Sequence, residues 1–366
     1  MFSGYKYSFV DCSMFVNTKK IQPSKMGCAA LAVSISLLLS GCNEPPKLEK
    51  ITGFAEGTTY HVTYWSKDDV PVTKVQAQFD KRLAEIDKEF STYRNDSYIS
   101  EFNHSASTQW QPASKEFIDL VALAKTINKD SGGCYDPTIQ PLYKLWGFQG
   151  DKLHVPTHEE ITTIQGDMGI NNIEIDPTHL KIRKVIPQVQ IDLSSMGEGF
   201  AISQLSKILE ADGINNYLVE FGGDMKIKGH KPNGVQWRVA IEQPISLKEG
   251  VKPYQVVTIF DQSGVSLNTS GTYHHNFEQG KKEYSHILDP RTGSPITHNL
   301  VSASVFGNDP IKGDAWATTM LCLGPKQGME AANKLNLPVF FIQDEEGKFI
   351  SSSSDKFKET KAFSMN

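Results

Sequence analysis

The sequence predicts an α+β fold in which largely antiparallel sheets are flanked by helices. Runs rich in β-branched and aromatic residues predict strands, and the clearest is GTTYHVTYW at residues 57–65. Stretches with apolar residues every three or four positions predict amphipathic helices, and the clearest covers residues 72–90. The strands and helices do not alternate regularly as in a parallel βαβ fold, which favours one compact α+β domain.

Capping residues mark where further helices begin. Thr157 with Glu160 has the sequence pattern of a capping box, and Asp309 followed by Pro310 predicts the start of another helix. Further helices are expected from Ser114 to residues 131–133, near residues 199–211 and near residues 326–335.

The remaining β-rich runs predict a series of short strands. Asp176 and Pro177 form the turn of an expected hairpin over residues 173–184. Other strands are expected at residues 190–193, 216–220, 224–229, 236–242, 254–260, 265–269, 273–278, 283–287, 298–306 and 338–344. The domain is expected to span residues 51–350, and the polar sequence of residues 351–366 predicts a flexible tail.

The overall charge and composition restrict the class of protein. The chain has 366 residues, of which 39% are hydrophobic and 22% charged, as in ordinary globular proteins. Its formal net charge is −5, and no basic stripe is present to neutralise phosphates. Nucleic acid is therefore excluded as the main partner.

The N-terminal segment resembles a bacterial lipoprotein signal. Three lysines within residues 19–25 precede the apolar run of residues 28–39, which is too short to span a bilayer, and LSGC then ends at Cys42. This pattern predicts a signal peptide at residues 1–41, lipid modification of Cys42, and a polar tether over residues 42–50. A short transmembrane anchor is the alternative.

Two cysteines, Cys134 and Cys322, remain in the mature chain besides Cys42. They either pair in an oxidising compartment or stay as buried free thiols. Free thiols are expected, because the chain has no dense cysteine framework. No CxxC or HExxH spacing is present, so a structural zinc site is not expected.

The segment DAWATT, residues 314–319, predicts a magnesium site. Asp314 and Thr318 are one helical turn apart and point the same way. A carboxylate and a hydroxyl are hard oxygen ligands that suit Mg²⁺. The alternative is a solvated aspartate and a threonine bonded to its own helix. The neighbouring Trp316 and Met320 favour the site, because an ionised aspartate among apolar side chains needs a partner.

A second polar segment is QIDLSSMGEGFA, residues 190–201. Asp192 is expected at a strand end, Ser195 in a turn and Glu198 at a helix start. Backbone N–H groups collect at such a place and bind anions. Capping and turn chemistry is the alternative. No Walker lysine and no GxGxxG pattern are present, which disfavours a P-loop or a Rossmann site.

Three further segments offer ligand contacts or ordinary structure. His286, in YSHILDPRTGSPI, is either a general base or a packed histidine, and its predicted strand alone favours packing. The glycines of FGGDMKIKG, residues 221–229, permit close approach by a planar ligand or form a plain turn. Residues 133–148 are rich in aromatic side chains around Asp136, which form a ring-binding pocket or a core cluster. Together the segments fit a phosphate-bearing aromatic ligand with Mg²⁺.

Taken in order, these segments resemble the ApbE family of flavin transferases. The motifs that carry the resemblance are EGTTYHV, STYR, CYDPTIQPLYKLWGF, IDLSSMGEGFA, VEFGGDM, SHILDPRTGSPI and DAWATTM. The resemblance covers roughly residues 50–345 and includes the lipoprotein signal. It implies an ApbE-like fold, and an enzyme that transfers the FMN moiety of FAD to a Thr or Ser hydroxyl of a target protein with Mg²⁺, releasing AMP.

The resemblance also implies roles for individual residues. As metal ligands it implies Ser195, Asp314 and Thr318. As FAD contacts it implies Tyr93, Tyr135, Asp136, Asp192, Glu198 and the backbone at Leu288. Glu56 is also expected to contact FAD, but members commonly have methionine at this position, so the acid is a departure. His286 becomes the candidate general base through its motif and the near-neutral pKa of histidine.

The implied targets are subunits of the Na⁺-translocating quinone reductase or of related electron-transfer complexes, with a D-x-x-[ST]-G-A-[ST]-like motif. The enzyme is then expected on the periplasmic face of a bacterial membrane, the inner membrane in preference to the outer. A Mg²⁺-dependent FAD pyrophosphatase and a non-catalytic FAD-binding lipoprotein are the alternatives. The same residues serve the first two activities, which differ only in whether a protein hydroxyl or water attacks.

Overall fold

The computed structural model describes residues 46–148, 153–245, 252–272, 276–279 and 282–365. Its helices are α1 (Val72–Phe90), α2 (Tyr98–His104), α3 (Lys115–Asp130), α4 (Gln140–Leu145), α5 (His158–Gln165), α6 (Gly197–Ala211), α7 (Pro310–Lys334) and α8 (Asp355–Glu359). None of the helices in these ranges combines the length and the apolar character of a membrane-spanning segment. The predicted signal peptide and Cys42 lie outside the described residues.

The strands of the described chain are mostly short. They are β1 (Glu49–Ala55), β2 (Thr58–Trp65), β3 (Gln111–Pro112), β4 (Ile173–Asp176), β5 (Lys181–Lys184), β6 (Asn216–Phe221), β7 (Asp224–Lys228), β8 (Arg238–Glu242), β9 (Pro253–Ile259), β10 (Val265–Gly271), β11 (Asn276–Gln279), β12 (Lys282–Ser285), β13 (Leu288–Asp289), β14 (Ser294–Pro295), β15 (Leu300–Gly307), β16 (Val339–Glu345), β17 (Lys348–Ser353) and β18 (Phe363–Met365).

An eight-stranded sheet in the order β1-β2-β6-β7-β10-β15-β16-β17 forms the centre of the fold. Every pair of neighbouring strands in it is antiparallel. Side chains alternate between its two faces, as β6 illustrates: Tyr217, Val219 and Phe221 enter the large core with α1, α3, α6 and α7. Leu218 enters a second core, beneath the small sheet β18-β9-β8. The predicted α+β architecture with largely antiparallel sheets is confirmed.

The local signals in the sequence predict the helices well. In α1 the buried residues are Val75, Phe79, Leu83 and Ile86, at the helical spacing. Both hydrogen bonds of the predicted capping box, between Thr157 and Glu160, are present. Asp309 caps α7 as predicted, accepting hydrogen bonds from the N–H groups of Ile311 and Lys312. The short helix α2 has no predicted counterpart, although Ser97 caps it.

A break at Gly324 divides α7, in agreement with the two helices predicted for this stretch. Gly324 has a φ of 75°, and Pro325 follows it. Because proline has no N–H, the carbonyl of Leu321 loses its helical partner. His298 replaces that partner through its Nε2 atom, which lies 2.9 Å from the Leu321 oxygen.

The predicted strand at residues 190–193 is wrong. The N–H and C=O groups of Ile191 bond to the side-chain amide of Asn103, each at 2.8 Å, and not to a neighbouring strand. A 3₁₀ turn over Ser194–Met196 follows and leads into α6. The backbone of Ile191 is therefore satisfied by a side chain of α2, and the N–H of Asp192 bonds to the carbonyl of Pro137 at 2.7 Å.

The predicted flexible tail is also wrong for residues 351–365. Strand β17 extends to Ser353, α8 follows, and β18 pairs with β9. Phe363 is buried and stacks on Phe306 with ring centroids 4.2 Å apart. The C-terminal segment is mostly polar, but it contains two aromatic side chains, Phe357 and Phe363, that pack in the second core.

The expectation of two free thiols is wrong as well. Cys134 and Cys322 form a disulfide across a sequence separation of 188 residues, with their Cα atoms 5.9 Å apart. The bridge joins the loop after α3 to α7. Only the tertiary fold brings these segments together, so the sequence spacing gave no signal for the pair.

We expect Phe363→Ala to lower the free energy of unfolding by about 3 kcal/mol, because it leaves a cavity in the second core. The exposed Lys361→Ala, in the same segment, serves as the control and is expected to leave stability nearly unchanged. Urea denaturation followed by circular dichroism measures both. Equal stability of the two variants would mean that the segment is not docked.

Candidate active site

The centre of the candidate site is the contact between α7 and the first turn of α6. Oδ2 of Asp314 accepts a hydrogen bond from the N–H of Gly199 at 2.9 Å, and Asp314 is only 7% exposed. N–H groups in the first turn of a helix have no partner within the helix, and the Asp314 carboxylate supplies one. A side chain at position 199 would prevent this approach, since its Cβ would lie 2.2 Å from the carbonyl oxygen of Pro310.

Three carboxyl groups share this buried space: Glu198, Asp224 and Asp314. Burial raises the pKa of Glu198 well above its usual range, and the charges of Asp224 and Asp314 raise it further. Burial and the charge of Asp224 raise the pKa of Asp314 in the same way. Burial raises the pKa of Asp224 to about 7, although Asn268 and Thr269 donate hydrogen bonds to it. Such a cluster disfavours three negative charges at once and would be stabilised by a cation.

The glycine turn of FGGDM makes room for Glu198. Gly222 has a φ of 63°, and a Cβ there would lie 2.1 Å from Oε1 of Glu198. Gly223 donates its N–H to Oε1 of Glu220 at 2.8 Å. The space at Gly222 is thus occupied by the carboxylate of Glu198, whereas a Cβ at Gly223 would meet nothing within 4 Å, and approach of a planar ligand to this glycine pair stays a prediction.

The predicted metal ligands lie along the same contact. Thr318 is half-buried, and its Oγ1 lies 3.1 Å from Oγ of Ser270 on β10. Its neighbour Thr319 is the threonine that bonds back to its own helix, to the carbonyl of Ala315 at 2.6 Å. The hydroxyl of Thr318 therefore points towards β10, and Thr318 lies one helical turn after Asp314 in α7. This agrees with the prediction that the two side chains share a face.

Ser195 joins this group through Tyr135. Oγ of Ser195 donates to the phenolic oxygen of Tyr135 at 3.0 Å. Burial raises the pKa of Tyr135, and the negative charges of Asp314 and Asp192 contribute to this rise. The structure thus brings together Tyr135, Asp192, Ser195 and Asp314, four of the predicted site residues.

The two aspartates beside Tyr135 are engaged by their own loops. Asp192 accepts a hydrogen bond from the N–H of Ser194 at 2.9 Å. Asp136 accepts bonds from the N–H and the hydroxyl of Thr138, at 2.9 and 2.6 Å, and from the N–H of Ile170. The Asp136 carboxylate therefore orders the loop, and a direct contact of Asp136 with a ligand stays a prediction.

Glu56 and Tyr93 lie at the outer side of the site. Glu56 begins the two-residue turn between β1 and β2, where its φ of 50° and the φ of 84° at Gly57 fit a tight hairpin. The Glu56 carboxyl group nevertheless reaches the start of α6, with Oε2 3.8 Å from the position a Cβ would take at Gly197. Desolvation and the charge of Asp87 raise its pKa to about 7. Tyr93 is 81% exposed.

Leu288 and His286 lie on the segment around β13. The Leu288 side chain is buried in a small cluster with Leu142, Trp146 and Met168, so only its backbone is available to a ligand. His286 is half-buried, in the turn before β13, where the N–H of Ile287 bonds to Oγ of Ser285. The role of His286 as a base stays a prediction.

Sequence reasoning did not single out several residues of the site. Asp224 follows the quoted glycine pair directly, so an acid at that turn was a usable signal. Asn268 gave no local signal, yet its Nδ2 donates to Asp224 Oδ2 at 2.6 Å. His61 faces Glu220 across β2 and β6, with 2.6 Å between Nδ1 and Oε2, and only strand pairing reveals this contact.

The model of the ApbE family matches residues 57–341 of this chain. The chain belongs to the ApbE family. The FAD:protein FMN transferase of Salmonella typhimurium strain LT2 is 34% identical over 342 residues, which cover 90% of this chain and 96% of that protein. The resemblance drawn from the motifs is therefore confirmed.

Solved ApbE structures also share the fold. The flavin transferase ApbE from Vibrio cholerae matches with a TM-score of 0.76 at 32% identity, covering 86% of this chain and 99% of that one. The apo form of the Pseudomonas stutzeri flavinyl transferase ApbE matches with a TM-score of 0.77 at 32% identity, covering 87% and 97%. These matches confirm the predicted ApbE-like fold.

We expect Gly199→Ala to lower the free energy of unfolding by about 2 kcal/mol, because the new methyl group meets the backbone of α7. Gly197→Ala, two residues earlier in the same helix, is the matched control. A Cβ there has only one ordinary contact, 3.8 Å from Glu56, and alanine favours the helix. Chemical denaturation of both variants makes the comparison. A Gly199→Ala protein as stable as Gly197→Ala would contradict the described α6–α7 contact.

Proposed function

We propose that this chain is a FAD:protein FMN transferase that works with Mg²⁺. The relatives named FAD:protein FMN transferase support the reaction, because the chain aligns with them over most of its length. The observation that carries the proposal is the buried cluster of Glu198, Asp224 and Asp314 at the α6–α7 contact. A protein retains such a destabilising cluster where the carboxyl groups serve a function.

The residues around the cluster fit Mg²⁺. The Asp314 carboxylate and the hydroxyl groups of Thr318 and Ser195 are hard oxygen donors, the type that Mg²⁺ prefers. The acids around them would be stabilised by a divalent charge. We therefore propose Ser195, Asp314 and Thr318 as ligands. When bound, Mg²⁺ supplies neutralisation of the charge on the FAD pyrophosphate.

The remaining predicted residues surround this centre and are proposed to bind FAD. Tyr135 lies against Ser195, Asp192 lies on the loop that leads to Ser195, and Glu198 lies in the first turn of α6. Glu56 reaches the same turn from the β1–β2 hairpin. Further out, the proposal includes Tyr93, Asp136 and the backbone of Leu288.

The proposed reaction is an in-line phosphoryl transfer. The oxygen of an acceptor Thr or Ser hydroxyl forms a bond to the FMN-side phosphorus, and the bond from that phosphorus to AMP breaks. The hydroxyl proton leaves to a base, for which His286 is our candidate, and the AMP leaves as the phosphate-terminated product. The acceptor is proposed to be a membrane electron-transfer subunit with a D-x-x-[ST]-G-A-[ST]-like motif, as in Na⁺-translocating quinone reductases.

We expect the purified chain, with FAD, Mg²⁺ and an acceptor domain, to add one FMN less water to the acceptor. Asp314→Ala is expected to lower the rate at least about 100-fold, because it removes a metal ligand. Asp119→Ala, which changes an exposed acid of α3 that pairs with Lys115, is the matched control and should retain activity. Intact mass spectrometry of the acceptor and chromatography of the nucleotides follow the reaction.

The outcomes of this experiment separate the alternatives. Accumulation of free FMN and AMP without a modified acceptor would show that the chain is a FAD pyrophosphatase and not a transferase. FAD that remains intact with several acceptors would favour a non-catalytic FAD-binding protein. Full activity of Asp314→Ala would contradict the proposed metal site and leave the transferase reaction in place.

We also propose that the enzyme is anchored through lipid on Cys42 at the periplasmic face of the inner membrane. In bacterial cells the wild-type chain is expected in the membrane fraction, with a mass that includes acyl groups. Cys42→Ala is expected to lose the acyl mass and the membrane association, while Cys322→Ala keeps both. An acylated Cys42→Ala protein would contradict the proposal.

A further inference from the structure

The Cys134–Cys322 disulfide lies directly beside the candidate site. Cys134 precedes Tyr135, whose hydroxyl accepts a hydrogen bond from Ser195. Cys322 is one helical turn beyond Thr318, which is itself one turn beyond Asp314. Since residues four apart in a helix share a face, all three side chains form one stripe along α7. The bridge therefore fastens the Tyr135 loop to the same face of α7 that carries the proposed metal ligands.

Two glycines lead into the Tyr135 loop. Gly132 and Gly133 have φ values of 63° and 88°, a region that glycine adopts readily, and they precede Cys134. The backbone of Tyr135 is bonded to the end of α3, through Ser131 Oγ and Asn128 Nδ2. These contacts hold the start of the loop at α3, and the disulfide links the loop to α7.

A third segment packs against the bridge. A carboxylate oxygen of Asp289 lies within 4.8 Å of both sulfur atoms, and Arg291 pairs with that carboxylate at 2.8 Å. The side chain of Arg291 also reaches the position a Cβ would take at Gly133, at 3.6 Å. Asp289 directly follows Leu288, whose backbone is proposed to contact FAD. The disulfide thus lies where three segments of the proposed site meet.

We propose that the Cys134–Cys322 disulfide is a positioning element that holds the Tyr135 hydroxyl at Ser195 and so maintains the FAD and Mg²⁺ site. The inference rests on the proposed function and adds a redox dependence to it. A dithiol reductant transfers two electrons and two protons to the bridge: the S–S bond breaks, two thiols form, and the dithiol becomes a cyclic disulfide. The loop then separates more easily from α7, and affinity for FAD falls.

The test measures FAD affinity by flavin fluorescence in the presence of Mg²⁺. Complete reduction of the wild-type chain by dithiothreitol, verified by a gain of two thiols per chain, is expected to raise the Kd for FAD about tenfold, because the Tyr135 hydroxyl is no longer held in its binding position. The double variant Cys134→Ser/Cys322→Ser is expected to have this weaker affinity with and without dithiothreitol. Circular dichroism checks that each protein is folded at the temperature used.

A disulfide also stabilises a protein by restricting its unfolded chain, so weaker binding alone does not show positioning. Tyr135→Phe provides the decisive comparison, because it removes the hydroxyl through which the bridge acts. In Tyr135→Phe, reduction is expected to change the Kd less than about twofold, since the two changes are coupled. A loss on reduction as large in Tyr135→Phe as in the wild type would overturn the inference and indicate general loosening.

The result also separates this inference from the proposed function. Equal FAD affinity of the oxidised and reduced wild-type chain, with transfer of FMN in both states, would overturn the positioning role alone. No FAD binding by the oxidised chain would overturn the proposed function, and the inference with it.

Discussion

The hydrogen bond from Gly199 to the Asp314 carboxylate sets the geometry on which the site depends. It fixes the first turn of α6 against the first turns of α7, and the bare backbone of Gly199 allows the two helices to approach. Gly313 does the same on the sheet side, where Asn268 lies close enough to exclude a Cβ. Once the register of α7 is fixed, Thr318 faces β10 and Cys322 meets the Tyr135 loop.

Much of the fold could be predicted because its signals are local. The apolar spacing of α1, the capping box at Thr157 and the Asp309 cap of α7 depend on residues within four positions of one another. Where the local preference of the sequence gave a wrong prediction, the reason was a tertiary contact. Residues 190–193 have the composition of a strand, but Asn103 satisfies the backbone of Ile191, and the polar C-terminal segment is ordered by Phe363 against Phe306.

In the candidate site, too, local features could be predicted from sequence and distant contacts could not. Asp314 and Thr318 could be paired from sequence because a helix places residues four apart on one face. Their partners could not, since Gly199 lies 115 positions before Asp314 and the disulfide spans 188 positions. Asp224 and Asn268 meet only because β7 pairs with β10. Local physics therefore predicts that Asp314 and Thr318 share a face, and tertiary contacts decide what surrounds them.

The excess of acid at the site constrains how substrate enters it. The N–H groups in the first turn of α6 attract anions, but the N–H of Gly199 is already bonded to the Asp314 carboxylate. Glu56 and Glu198 add two further carboxyl groups nearby. The pyrophosphate of FAD is itself anionic, so in the proposed function it would meet repulsion from these acids unless a cation entered as well. Binding of FAD and of Mg²⁺ is then coupled, each increasing the affinity for the other by the same factor. Because the pKa of Glu56 is raised to about 7, in the proposed function its carboxyl group adds to this coupling only where it is ionised, at the higher end of the neutral pH range.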